Sequence, residues 1–557
     1  MRDKITRQFA EELLQRAVKA LHERTFYTPF PENPSPDVYG ENADKEGQEK
    51  YQALLNKQFA ELRQPAEKWV GEEESPFTGQ KSGVTYPFLS PAALVNNARQ
   101  SFDVWRKQTP LQRATILIET LFAVRERFFE IAHATMHTTG QSFLMSFQAS
   151  GPHSADRALE AIAAGYEEQT RFPEQQLWEK PMGKYAIKLQ KSWLPVPKGV
   201  ALAIGCSTFP TWNTVPGLFA SLVTGNPVIV KPHPKAVLPI AIVVSEIQKV
   251  LAVHNLPPAI CQLAVDEPEN LITKQLAEHP DIKLIDFTGS AAFGNYIENL
   301  AGKVTFTEKT GVNCIILDSV EDLEKVLQNL AFSVTLYSGQ MCTTPQNFLV
   351  PEDGILTPGG RVTYAEVVEK LSAAISGLLA NPKVGPHIIG AIQNTETLKR
   401  TEALIAAGYK SVLTGCEVQN VAYPEARICA PLLFEADATD TGAFNKELFG
   451  PVACIIKTKN TQQSVELASQ LALQHGAISC GAYATNPEIK ELIKDKMALA
   501  GTSVSFNLTG PVYVNQSAAF SDFHVTGGNP AGNASFTNPE FVIKRFYWVA
   551  FREPAAG

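Results

Sequence analysis

The two side chains best suited to chemistry are a thiol and a carboxylate 34 positions apart: Cys342, in Gly339-Gln-Met-Cys-Thr, and Glu308. A thiol attacks an aldehyde to give a thiohemiacetal, hydride loss leaves a thioester, and activated water then releases an acid. A carboxylate serves as base for that last step if burial raises its pKa towards the working pH, which is the expectation for Glu308. A single cysteine and a single glutamate also read as a buried small residue and a solvated charge. A third segment narrows the choice. Phe287-Thr-Gly-Ser-Ala-Ala-Phe-Gly294 follows an apolar strand pattern and opens a helical one, so backbone N–H groups of Thr288, Gly289 and Ser290 can face a pyrophosphate. It departs from G-x-G-x-x-G, which the chain lacks, and alone it also fits an ordinary strand-to-helix connection.

These residues need a scaffold, and its pattern is alternating. At 557 residues the chain exceeds one ordinary core, and several units are expected. Residues 1–75 read as an appended helical extension: a helix, a Pro-rich connector from Phe26 to Pro36, and a second helix. Helical periodicity dominates from Pro91 to Arg171. Short β-type runs then alternate with helices at Val200–Ile204, Pro227–Val230, Cys261–Val265 and Leu284–Phe287, which predicts a parallel sheet covered on both faces. Residues 76–305 form a dinucleotide-binding domain on this reading, with a bridging strand near 183–197. A second α/β stretch opens near Val304, and 306–504 is the catalytic domain, with strands at Cys314–Leu317, Asn347–Val350, Ala453–Lys457 and Gly481–Ala484. Residues 505–557 form a C-terminal segment whose apolar run from Phe541 to Phe551 predicts a strand paired elsewhere in an assembly. The fold class is α/β with two doubly wound units plus a strand arm.

Taken together, these segments resemble the aldehyde dehydrogenase superfamily from about residue 90 onwards. The matching pieces are Trp105-Arg-Lys through Thr139-Gly-Gln, Thr224-Gly-Asn-Pro-Val-Ile-Val-Lys-Pro, Phe287-Thr-Gly-Ser, Glu308, Gly339-Gln-Met-Cys342 and Glu447-Leu-Phe-Gly-Pro-Val. The resemblance implies Cys342 as nucleophile and Glu308 as general base. It implies Lys231 at the adenosine ribose, Phe287 to Ser290 and Gly294 at the pyrophosphate, and Glu447 with Phe449 at the nicotinamide half of NAD or NADP. It further implies a homodimer or homotetramer built through the tail strands. The N-terminal extension, Cys206-Ser-Thr-Phe-Pro-Thr-Trp-Asn213 and Lys231-Pro-His-Pro are similar to the PaaN family of aerobic phenylacetic acid degradation. That similarity implies a CoA-linked substrate, 3-oxo-5,6-dehydrosuberyl-CoA semialdehyde, oxidised to its acid. A CoA-acylating dehydrogenase and a non-catalytic binding protein on the same fold are the alternatives.

Two departures from the superfamily pattern matter. Where most members carry a Trp-Asn-Phe-Pro run whose Asn helps hold the oxyanion, this chain has Ser207-Thr-Phe-Pro, so Thr208 takes that place with one hydroxyl donor. Asn213 supplies an amide instead if the loop folds back, or merely caps the chain. After Lys231 comes Pro-His-Pro-Lys, without the acid that takes the ribose hydroxyls in NAD-preferring members. Lys231, His233 and Lys235 therefore favour NADP.

Other features point away from alternatives. The formal charge of −8 is spread along the chain, which argues against nucleic acid. Eight dispersed cysteines without a C-x-x-C pair suggest neither a disulfide frame nor a zinc ribbon, and a reducing cytoplasm fits best. The apolar run Thr214–Val230 contains Pro216, Gly225 and Pro227 and reads as helix, turn and strand rather than a membrane span. His133 and His137 have helical ligand spacing but lack the H-E-x-x-H acid, so packing is expected and no metal site is assigned. Cys314 begins a strand pattern and is expected to be buried and inert, and Phe546-Tyr-Trp to pack within a strand.

Overall fold

Strands buried on both faces must be apolar throughout, and the short Val/Ile/Leu runs meet that condition in two all-parallel sheets. The computed structural model describes residues 5–267, 269–413, 418–510 and 523–555. Cys416 and residues 511–522 of the tail lie outside the described residues. The first sheet runs in the order Cys261–Leu263, Val228–Lys231, Val200–Ile204, Ile282–Thr288, Val304–Glu308, all parallel. The second runs Leu432–Asp437, Val452–Thr458, Asn347–Pro351, Cys314–Leu317, Cys480–Tyr483, Val504–Phe506, also parallel.

The strand Val304–Glu308 corrects the sequence reading. It opens no second unit: it pairs with Ile282–Thr288, Thr288 opposite Glu308, as the far edge of the first sheet. The helix Ala291–Glu298 is just long enough to return the chain beside the strand it left. Glu308 therefore sits at the carboxyl end of a strand, level with Thr288. Strand order reverses about Val200–Ile204, and a crevice opens beyond the carboxyl ends at such a reversal.

The N-terminal extension is part of the core rather than an appendage. Helix Arg7–Glu23 buries Ala10, Leu13, Leu14 and Ala17, and contacts helices Pro110–Arg125 and Pro152–Gln169. Buried Arg127 joins Glu61 of the extension at 2.7 Å, Glu130 at 2.6 Å and Glu246 at 2.9 Å. His133 bonds Asp44 at 2.8 Å and Tyr51 stacks on His137 at 5.1 Å, so both histidines hold the extension in place. The Thr214–Val230 run is the rest of helix Pro210–Val223, a turn with Gly225 at φ +90°, and the start of strand Val228–Lys231. Among the described residues no helix is long and apolar enough to cross a membrane.

The tail strand finds its partner within the chain. Phe541–Ile543 belongs to a helical turn, and Phe546–Pro554 pairs antiparallel with Tyr185–Pro197, which pairs with Gln175–Met182. Trp548 packs against Phe172 and Phe546, as the aromatic cluster suggested. Just before the strand, fully buried Arg545 grips Asp286 of the first sheet at 2.6 and 2.7 Å, and lies over Phe306 and Phe541. Removing one partner of such a pair leaves the other charge buried. Arg545→Ala is expected to lower stability by about 3–5 kcal/mol in urea denaturation. A loss within the range of surface substitutions would show that this pair is not what secures the tail.

Candidate active site

The nucleophile candidate sits on a strained, tightly pinned loop. After helix Leu323–Thr335, Tyr337, Ser338 and Gly339 all adopt left-handed φ values of 53°, 52° and 66°. Side chains hold that geometry: Tyr337 donates to the Thr139 carbonyl at 2.6 Å, Ser338 to Gly390 at 2.7 Å, and Gln340 to Ala391 at 2.9 Å. A Cβ on Gly339 would meet the Gly450 carbonyl at 2.2 Å, so only glycine fits. Asn313 then donates to the carbonyls of Cys342 at 2.8 Å and Thr344 at 3.1 Å, while its own oxygen accepts from Ile478 and Ser479. Burial, then the Glu308 carboxylate, push the Cys342 thiol well above its ordinary range.

Glu308 faces that thiol from the first sheet. One carboxylate oxygen accepts from Asn213 Nδ2 at 3.1 Å, and the other lies 3.0 Å from His524 Nε2. The Cys342 sulfur, a Glu308 oxygen and a His524 nitrogen all lie within 4.8 Å of one another. The expectation of a raised carboxyl is overturned. Burial alone would push it up, but His524, then buried Arg157 and the Cys342 thiol, hold it below the ordinary range. Glu308 is thus an ionised acceptor beside a protonated thiol.

A segment of the tail keeps the two units in register here. Asn533 accepts from Thr307 N at 2.8 Å and Lys309 N donates to Ala531 at 2.6 Å, both on the first unit. Asn529 exchanges hydrogen bonds with both backbone groups of Ala477 in the second unit, at 2.9 and 3.2 Å. Cys342 packs against Ile478, Val525 and Ala531.

Cys342 and Glu308 line a groove of about 740 Å³. Its walls include Thr208, Asn213, Lys231, His233, Phe287, Thr288, Gly289, Ser290, Glu447 and Phe449. Those ten predicted residues are brought together with the thiol and carboxylate. Gly294 is the exception among the predicted set. A Cβ there would meet the Lys309 stem at 2.4 Å, so its smallness serves packing inside the fold and it does not line the groove. Ser290 caps helix Ala291–Glu298, accepting from Phe293 N at 3.4 Å, which aims the start of the helix into the groove. Asn213 belongs to the first turn of helix Pro210–Val223, so no loop folds back, and its amide is committed to Glu308. Thr208 lies against the Cys206 thiol, which burial pushes up to about 11.

The predicted cations are not all available. Lys231 Nζ lies 2.6 Å from buried Asp266, a carboxylate brought from the end of a neighbouring strand. Burial, then Lys231 and Lys235, hold His233 down to about 4, so it is neutral at pH 7. Burial pushes the Glu447 carboxyl up to about 7. Cys314 is buried as expected, its thiol pushed up to about 12 by burial.

Residues 90–502 match the model of the aldehyde dehydrogenase family. The chain belongs to that family. Over 99% of both chains it superposes, with 43% identity and a TM-score of 0.95, on an NAD-dependent aldehyde dehydrogenase from Burkholderia multivorans. It is 25% identical over 67% of its length to 1-pyrroline-5-carboxylate dehydrogenase of Bacillus subtilis, covering 69% of that protein. It is also 25% identical over 71% of its length to succinate-semialdehyde dehydrogenase [NADP(+)] of Deinococcus radiodurans, covering 79%. The enzyme's fold is the mixed α/β fold of this family, with parallel Rossmann-like sheets.

Four contributors escaped the sequence reading: His524, Arg157, Asn313 and Asp266. None carries a motif, and His524 is a single histidine in the tail, so only the fold brings it to Glu308. The electrostatics can be checked directly. Since the Glu308 charge suppresses thiolate, Glu308→Gln is expected to speed alkylation of Cys342 by iodoacetamide at fixed pH, with the wild-type rate rising as pH rises. A slower variant would contradict this assignment of charges.

Proposed function

We propose that the enzyme oxidises an aldehyde to a carboxylic acid with NAD or NADP through a thioester on Cys342. The observation that carries this reading is the approach of a protonated buried thiol to an ionised carboxylate on the wall of a groove of about 740 Å³. The Cys342 thiol passes its proton to the Glu308 carboxylate, and from there to solvent, as Sγ bonds to the aldehyde carbon, and the carbonyl oxygen becomes an oxyanion for which the Thr208 hydroxyl is the proposed donor. The bound nicotinamide supplies a hydride acceptor. With the carbonyl re-formed as a thioester, Glu308 takes a proton from water, the water oxygen bonds to the acyl carbon, and the C–S bond breaks to release the acid. Asn213 acts as a positioning residue that orients Glu308. Thr208→Val is expected to slow acylation about 100-fold. Asn213→Ala is expected to slow hydrolysis about tenfold with the acylation burst retained. Rapid-quench kinetics separate the two steps, and unchanged acylation in Thr208→Val would remove that hydroxyl from the mechanism.

The groove fits the cofactor on its own chemistry. Backbone N–H groups of Thr288 to Ser290 and the Ser290-capped helix suit a pyrophosphate, Lys231 suits the adenosine ribose, and Glu447 with Phe449 suits the nicotinamide half. The sequence favoured NADP, but Lys231 faces Asp266 and His233 is neutral, so two of the three cations on which that preference rests are withdrawn from a 2′-phosphate. NAD is therefore the better substrate on this reading. The Burkholderia relative, described as NAD-dependent, agrees with it.

The aldehyde is proposed to be the CoA-linked 3-oxo-5,6-dehydrosuberyl-CoA semialdehyde of phenylacetate degradation, acted on in the cytoplasm. The support is the similarity of the extension, the Cys206–Asn213 loop and Lys231-Pro-His-Pro to the PaaN family. A homodimer or homotetramer is proposed to form through the strands Gln175–Met182 and Tyr185–Pro197, which expose Leu177, Trp178, Tyr185 and Ile187. Steady-state assays with both cofactors against free and CoA-linked aldehydes test the whole reading. At least tenfold higher kcat/KM with NAD and a marked preference for CoA-linked aldehydes are expected. A preference for NADP, or for small free aldehydes, would overturn the corresponding part. Acyl-CoA rather than acid as product would replace water with a thiol in the release step.

A further inference from the structure

We propose that Glu308, Cys342 and His524 form a binding site for a thiophilic divalent cation, zinc above all, that closes the active site reversibly. Three donors of different kinds converge: a sulfur, a carboxylate oxygen and an imidazole nitrogen, all within 4.8 Å of one another. Zinc bonds these atoms at about 2.0–2.3 Å in a tetrahedron, which sets its ligands roughly 3.3–3.8 Å apart. The oxygen and nitrogen already stand at 3.0 Å. Small side-chain rotations complete the tripod and leave a fourth position for water. A thiol with an imidazole selects zinc over magnesium or calcium, which prefer all-oxygen shells.

His524 is the independent sign of a ligand. Its side chain is 2% exposed, and neither ring nitrogen has a hydrogen bond of good geometry despite the nearby carboxylate. The ring's ion pair with Glu308 lies outside good hydrogen-bond geometry, and a metal ion bound between the two satisfies both. The ring is oriented by Trp212, edge-on at 5.0 Å. The other two ligands are also held from behind, Glu308 by Asn213 at 3.1 Å and the Cys342 carbonyl by Asn313 at 2.8 Å. Such outer support is what tunes a metal site.

One feature limits affinity. The guanidinium of buried Arg157 lies 3.5 Å from the centre of the Trp212 ring, and its charge acts on both Glu308 and Cys342. It opposes a dication, so the site is an exchangeable one reached through the groove rather than a permanent structural centre. Binding displaces to solvent the thiol proton and any proton on the ligating nitrogen of His524, and leaves no redox change. A zinc-bound sulfur cannot attack a carbonyl, and a zinc-bound Glu308 cannot accept a proton. This inhibition rests on the thioester reading, whereas the binding itself does not.

The full-length enzyme is loaded with zinc, desalted, and measured for metal content, for alkylation of Cys342 by iodoacetamide with peptide mass spectrometry, and for activity. One zinc per chain, protection of Cys342 and loss of activity are expected, all reversed by a chelator. His524→Phe keeps a ring against Trp212 but removes the donor, and with His524→Ala it is expected to weaken zinc binding at least tenfold. Native thermal melts establish that these variants are folded. The proposal is overturned if zinc is not retained by wild type, if Cys342→Ala retains it equally, or if folded His524 variants bind it as well as wild type. If zinc binds and protects Cys342 but the enzyme oxidises no aldehyde, the site stands and the thioester reading falls.

Discussion

The arrangement depends on one short stretch of tail, His524 to Asn533, being hydrogen-bonded to both parallel-sheet units at once. Asn533 is tied to Thr307 beside the strand end that carries Glu308, and Asn529 to Ala477 next to the residues that hold Asn313. Asn313 in turn holds the Cys342 carbonyl. The thiol and the carboxylate thus come from separate sheets, yet their separation is controlled by a chain of short polar contacts. Each sheet alone offers only a strand end. The Arg545–Asp286 pair, a few residues further along, anchors the same tail to the first sheet.

Given that approach, the electrostatics are set by burial and sign. Two acidic groups in one poorly solvated place cannot easily both ionise. The neighbours decide which one does: His524 and Arg157 favour the carboxylate, and the carboxylate then suppresses the thiolate. The resting state holds one proton on sulfur beside an acceptor that lacks one. A thiol held protonated in this way is a weak nucleophile. The same convergence of donors explains why a soft cation would find the site.

The groove shows a similar division between residue type and surroundings. Lys231 and His233 read as two positive charges when only their types are known. In the fold, one meets a buried aspartate and the other loses its proton to desolvation. Gly294 likewise looks like room for a phosphate and is room for the stem of Lys309. In each case the residue type is plain in the sequence, and its surroundings are set by a neighbour distant in the chain.

Much was legible in the residues alone. Apolar runs of strand length alternating with helical periodicity dictate parallel sheets, because such strands are stable only when covered on both faces. The Ser290 helix start and the buried character of Thr214–Val230 and Cys314 follow from local type and pattern, whereas the pairing of Cys342 with Glu308 comes from the resemblance to the aldehyde dehydrogenase superfamily. Tertiary structure alone decided the rest. Strand Val304–Glu308 joined the first sheet because backbone pairing depends on where a crossover returns, which no local pattern encodes. His524, Arg157, Asn313 and Asp266 carry no motif, and the protonation of Glu308, Cys342 and His233 is set by burial and by charges from other strands. Coulombic and desolvation energies act through space, and distances through space exist only once the chain has folded.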